Sequence, residues 1–161
     1  MTDQIEITTD PQTMALLRND LRGLTKDQIG ELVAALTERM GIDPMLAPID
    51  LIVDKKSGKI TPYLNARGAA ELAKRHDLSD EDLDVDVRTT PPVVIVKVAK
   101  ASADGRVLRD VGASSYQPDW PDSLARAIKT ATTSAHRRAT LRMVGIFISE
   151  PESLEAVNAD A

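Results

Sequence analysis

Cysteine is absent from the chain, which removes a disulfide framework, a thiolate zinc site and a cysteine nucleophile at one stroke. Aromatic residues are almost as scarce: Trp120, Tyr63, Tyr116 and Phe147 are the whole supply. The core must then be built from Leu, Ile, Val and Ala, and a mechanism that stacks bases on a broad aromatic platform is poorly served. No apolar run approaches the ~18 residues a membrane span requires. The opening residues, MTDQIEITTDPQ, are polar and acidic, unlike a signal or transit peptide. The phosphate-cradling patterns G-x-x-x-x-G-K-[ST] and G-x-G-x-x-G are missing too. These absences lead to the expectation of a soluble cytoplasmic protein that is not an enzyme, with no catalytic residue, no cofactor and no bound metal.

The chain has 161 residues, 42% of them apolar and 28% charged, which suits one globular domain. Its net charge of −5 argues at first against a polyanionic partner. The distribution argues otherwise. Residues 47–76 carry Lys55, Lys56, Lys59, Arg67, Lys74 and Arg75 against Asp50, Asp54 and Glu71. Residues 122–145 carry Arg126, Lys129, Arg137, Arg138 and Arg142 against Asp122 alone. Acid is concentrated in residues 77–86 and in the tail.

Along the chain, residues 1–10 read as a flexible arm and 11–41 as N-terminal helices that pack or join subunits. Met14, Leu17 and Leu21 recur at helical spacing. Thr25 is placed to cap a second helix in which Ile29, Leu32, Val33, Leu36 and Met40 share a face until Gly41. Strands are expected at Ile49–Val53 and Ile60–Leu64 around the turn KKSGK, then a helix over 66–76. The acidic residues 77–86 read as a solvated connector. Three further strands follow, around Leu83-Val85-Val87, 93–98 and 107–113, the last two joined by a D-G turn. A helix over 124–144 closes the core at Gly145, with Asp122 or Ser123 as its cap. Leu124, Ile128, Ala131, Ala135 and Ala139 form its apolar stripe, and Arg126, Thr130, Thr133 and Arg137 lie opposite. The fold class is therefore α+β: a helix and three-stranded antiparallel meander followed by a long helix, a β-β-β-α core, with N-terminal helices and an extra short hairpin. The core spans 42–148, and 149–161 is an acidic tail.

His76 and His136 lack neighbours at metal-ligand spacing and read as surface or capping histidines. The carboxylates of 77–86 lack the glycine turn and terminal Glu of a calcium loop. What remains is positive charge. A run such as His136-Arg137-Arg138 is commonly a solvated helix face. Arg138 and Arg142, however, fall beside or within the apolar stripe, where an unpaired guanidinium is costly, so the expectation is that they face a groove or a partner. Cations about a groove bind phosphates without sequence preference.

Four pieces of the chain, in order, resemble phage single-strand annealing proteins of the RecT, Red-beta and Erf type and the N-terminal domain of the eukaryotic Rad fifty-two recombination mediators. They are GIDPMLAPIDLIV, TPYLNARGAAELAKRHDLS, VVIVKVAKASADGRVLRDVGASS and SLARAIKTATTSAHRRATLRMVG, within residues 41–155. The resemblance implies a β-β-β-α core assembling as rings or filaments, with single-stranded DNA in a basic groove and complementary strands annealed without ATP. It places Arg137, Arg138 and Arg142 in that groove, and the basic position before the helix at Lys55 or Lys56. Lys59, Arg67, Arg126 and Lys129 complete the candidate DNA-binding set. The implied partners are single-stranded DNA, further copies of the chain, and a phage exonuclease or host single-strand-binding protein, in DNA recombination and repair.

Two other classes suit parts of the pattern. A double-stranded-RNA-binding module has a similar element order but reads A-form shape at a helix N-terminus, whereas these basic residues lie late in the last helix. A structural or adaptor protein would use 29–40 as a docking helix and the acidic tail as a contact. A carboxylate-metal nuclease built on 77–86 is a third.

Overall fold

Polar side chains at the start of three helices fix where those helices begin in the computed structural model, which describes residues 10–146. The Asp10 carboxylate accepts the Thr13 N–H at 2.9 Å and starts α1 (Pro11–Leu17). Thr25 and Gln28 exchange side-chain and backbone hydrogen bonds in a capping box that starts α2 (Lys26–Met40), and left-handed Gly41 ends it. The Asn65 side chain accepts the Gly68 N–H at 3.0 Å and starts α3 (Ala66–Arg75). The long helix α4 (Ser123–Val144) differs from expectation: Asp122 sits at the cap position in a left-handed conformation without a side-chain cap, and Ser123 Oγ accepts the Gln117 N–H instead.

The strands form two antiparallel sheets, β1 (Ile49–Val53) with β2 (Ile60–Leu64), and β3 (Ser79–Thr89), β4 (Pro92–Ala101) and β5 (Val107–Ser115) in that order. The fold class is α+β, as expected. One segment is reassigned: the acidic residues expected in a solvated connector belong to β3 from Ser79 onward. Alternation explains this, because Leu83, Val85 and Val87 pair with Val98, Val96 and Val94 while the carboxylates between them face the other side.

Three clusters hold the layers together. Ala127, Ala131, Ala135 and Ala139 of α4 lie on Val94, Val96 and Val98 of β4. The small side chains let the helix approach so closely that a Cβ on Gly112 would stand 2.1 Å from the Ala131 carbonyl oxygen. The opposite side of α4 is covered as well: Leu141 packs with Ile49, Leu64, Ala69 and Leu72, joining it to the hairpin and α3. Leu21, Leu32 and Ala15 form a third cluster with Ile60 at its margin. Met14, Leu17 and Leu21 do not share a helix face, since α1 stops at Leu17, which is 75% exposed. Leu21 lies beyond it, fully buried, its N–H donating to the Ile60 carbonyl at 2.8 Å.

No helix among the described residues is long and apolar enough to cross a membrane. Of the arm expected at residues 1–10, residues 1–9 lie outside the described residues, as does the tail at 149–161, while Asp10 is ordered as the cap of α1.

Candidate nucleic-acid interface

The site begins with Asp110, a carboxylate placed on the helix-facing side of β5 by register with Val98. It is 6% exposed. A buried carboxylate requires compensation, and it comes from α4: Arg142 Nη1 donates to Oδ2 at 2.9 Å, and Arg138 Nε lies 3.4 Å from Oδ1. Oδ1 also accepts the Val111 N–H at 2.8 Å. The expectation that these arginines lack an internal counter-ion is thus corrected. The physical reason for their place near the apolar stripe is a carboxylate below it, brought there by strand pairing. The neutralisation is partial, however. Two guanidiniums share one carboxylate, leaving a formal charge of +1, and their side chains are 45% and 56% exposed.

Arg137 sits elsewhere. Expected in the groove beside Arg138, it is 2% exposed, with its guanidinium 4.0 Å from the centroid of the Tyr63 ring on β2. The helical wheel puts it opposite the alanine stripe, as anticipated, but the hairpin and α3 cover that face. A cation over an aromatic face recovers part of the desolvation cost. Arg137 therefore ties α4 to the hairpin.

Lys55, Lys56 and Lys59 occupy the β1–β2 turn as expected. Asp54 organises the turn by accepting the Ser57 hydroxyl at 2.6 Å and the Lys56 N–H at 3.0 Å, which holds its carboxyl below the usual carboxylate range. Left-handed Gly58 follows. Two cations missed in the sequence join the turn: Arg22 donates to the Ser57 carbonyl at 2.5 Å, and Arg18, Arg22 and Lys59 border a cavity of about 620 Å³ with Asp20. The signal was the pair of arginines bracketing Asn19 to Leu21, outside the two basic segments. The turn is thus tied to the α1–α2 segment, while the hairpin meets α4 through Tyr63, near the other end of β2. Arg67 is exposed in the first turn of α3, and Arg126 and Lys129 are exposed in the N-terminal half of α4. At about 100° per residue, those last two fall on a different side of α4 from Arg138 and Arg142.

A second polar group was not foreseen. Lys100 on β4 is 5% exposed, and its ammonium bonds Asp80 Oδ1 at 2.5 Å; His136 Nδ1 lies 3.5 Å from the same oxygen. All three border a cavity of about 570 Å³ between α3 and α4. Burial lowers the His136 pKa from its ordinary value, while Asp80 pulls the other way. His136 is therefore part of a partly buried cluster instead of the surface or capping residue expected. Among the described residues, no three His, Asp or Glu side chains converge to hold a metal ion.

Against known proteins, the chain matches no family model and no curated sequence.

Proposed function

We propose that this protein binds single-stranded DNA along its phosphates and anneals complementary strands without ATP. The observation that carries the reading is the fork of Arg138 and Arg142 on buried Asp110. Each guanidinium has five N–H donors in a rigid plane. Asp110 engages Arg138 through Nε and Arg142 through Nη1 while both side chains stay about half exposed, so the pair presents held positive charge whose ordering cost is met by folding. Phosphate contacts of this kind carry no sequence information and weaken with salt.

Annealing then requires no catalytic group. Bases left exposed above a held backbone can test a second strand, and each correct stacked step returns ~1.4 kcal/mol. A subunit with few phosphate contacts binds weakly, and repetition over several copies multiplies affinity through effective concentration. The order of helix, three-stranded meander and long helix is the one that the resemblance to annealing proteins implies, and it supports the same reading.

The test is strand binding and nucleotide-free annealing by the full chain, with duplex RNA run alongside. Arg138→Ala and Arg142→Ala are made together with Asp110→Asn, so that no buried carboxylate is orphaned. The triple variant is expected to lose annealing and to flatten the slope of log K against log salt by about two. Unaltered affinity at physiological salt, or preference for duplex RNA, overturns the proposal.

A further inference from the structure

One residue on the buried face of the three-stranded sheet breaks its pattern. Val94, Val96 and Val98 of β4 turn their side chains toward α4, and the next in that alternation is Lys100, also buried. A bulge in β3 answers it. Asp82 pairs with Ala99, but Asp80 and not Glu81 pairs with Lys100, so the extra residue brings a carboxylate round to the lysine. The ammonium donates to Asp80 Oδ1, its one hydrogen bond among the described residues, and two of its three N–H donors are left over. Oδ2 of Asp80 is left for another donor. The pair opens into the cavity of about 570 Å³ between α3 and α4, a volume that suits a ligand of nucleotide size. Ala66, Ala69, Ala70 and Ala73 make its α3 wall.

A ligand for this cleft has to suit both members of the pair. An anion competes with Asp80 for the ammonium, and a cation competes with the ammonium for Asp80; either leaves a charge short of its partner. His136, 3.5 Å from Asp80 Oδ1, is kept neutral by burial and adds no charge. A neutral edge that sets an acceptor beside donors takes up the spare N–H groups and the spare carboxylate oxygen together, and the pair stays intact. On a flat body lying against methyl groups, such an edge belongs to a nucleobase. Guanine fits best: its C6 oxygen meets the ammonium while its N1–H and 2-amino group meet the carboxylate. Adenine has a bare N1 at that place and leaves Asp80 unpaired. Lys74, exposed on the α3 side of the same cavity, supplies a cation for a phosphate carried on the sugar. We infer that the cleft between α3 and α4 binds a guanine nucleotide, with Asp80 and Lys100 selecting the base. A free mononucleotide and a guanine of a bound strand share this chemistry. The site uses neither Arg138 nor Arg142, so it does not rest on the proposed function.

The experiment is calorimetric titration of the full chain with guanosine monophosphate, with adenosine monophosphate and ribose 5-phosphate as controls. The guanine nucleotide is expected to bind with a Kd below about 1 mM, and both controls at least about tenfold more weakly. Ala70→Leu adds bulk to the exposed part of the α3 wall, keeps both members of the ion pair and should abolish binding. Asp80→Asn exchanges a carboxylate oxygen for an amide donor. It should weaken the guanine nucleotide and favour xanthosine monophosphate, whose C2 oxygen stands where guanine has its amino group; a merely structural loss weakens both alike. No saturation by guanosine monophosphate, equal binding of ribose 5-phosphate, an unaltered Kd in Ala70→Leu or an unaltered base preference in Asp80→Asn overturns the inference. Should Asp80→Asn lose the native circular dichroism, Ala70→Leu and the two controls decide. Two oligonucleotides then locate the source. Displacement of the nucleotide by a thymine strand carrying one guanine, and not by an all-thymine strand, assigns the cleft to a base of the strand. Displacement by neither assigns it to the free nucleotide, and displacement by both overturns recognition of the base. Annealing is assayed separately, so either idea can fail without the other.

Discussion

At the scale of single residues, the chemistry turns on how few counter-ions serve the buried charges. Asp110 neutralises one guanidinium equivalent of two. Asp110→Asn keeps the shape and removes the charge, so it should lower stability by about 1–3 kcal/mol while strengthening single-strand binding. Urea titration and binding at fixed salt read those opposite signs; weaker binding would mean that Asp110 positions the arginines more than it masks them. His136 makes a second case. Its folded-state pKa is depressed, chiefly by burial, with Asp80 of β3 and Lys100 of β4 facing it and Lys74 of α3 on the same cavity. The unfolded chain therefore binds the proton more readily. The contribution of neutral His136 is full above the ordinary histidine pKa and is lost as pH falls through and below it. Between pH 7.5 and 5.5 the protein should lose stability, and His136→Gln should lose less, as paired urea titrations would show.

At the scale of elements, α4 is the piece to which the others are fitted. Its alanine stripe lies on β4, and its backbone crowds the sheet at Gly112, where a Cβ would also stand 2.7 Å from the Ala135 nitrogen. Both near atoms are backbone, so no rotamer change relieves the clash. Gly112→Ala should cost about 1–3 kcal/mol or more, measurable as a shift of the urea midpoint. The strands and helices themselves were largely legible. Ile49–Val53 and Ile60–Leu64 match their expected bounds, because an apolar run on each side of a Ser-Gly turn leaves little freedom. The first turn of α2 was equally legible, since Thr25 and Gln28 stand at capping-box spacing. The start of β3 was not, because carboxylates weigh against a strand when local composition alone is considered. Pairing with β4 overrides that preference.

At the scale of the whole molecule, positive charge lies in separate places on a chain of net charge −5. The turn lysines gather with Arg18 and Arg22, while Arg138 and Arg142 gather over β5. Both groups contribute to strand binding if a strand tracks across them. Lys55→Ala with Lys56→Ala should then reduce the salt slope of binding by roughly one to two, and an unchanged slope removes the turn from the contact surface. The N-terminal helices, expected to pack or to join subunits, pack within the chain through Leu21, Leu32 and Met40.

What the sequence determined by itself was local: which segments form helices and strands, where they turn, and that cationic residues cluster late in the last helix. Periodicity, caps and turn residues act over a few positions, so they can be read without the fold. What only the tertiary structure decided was the partner of each charge. Whether Arg137 is buried on Tyr63, whether Arg142 finds Asp110 and whether His136 meets Asp80 depend on contacts between residues 74, 32 and 56 positions apart along the chain. No local preference encodes such distances. They follow from the packing of both sides of α4 at once, against the sheet and against the hairpin.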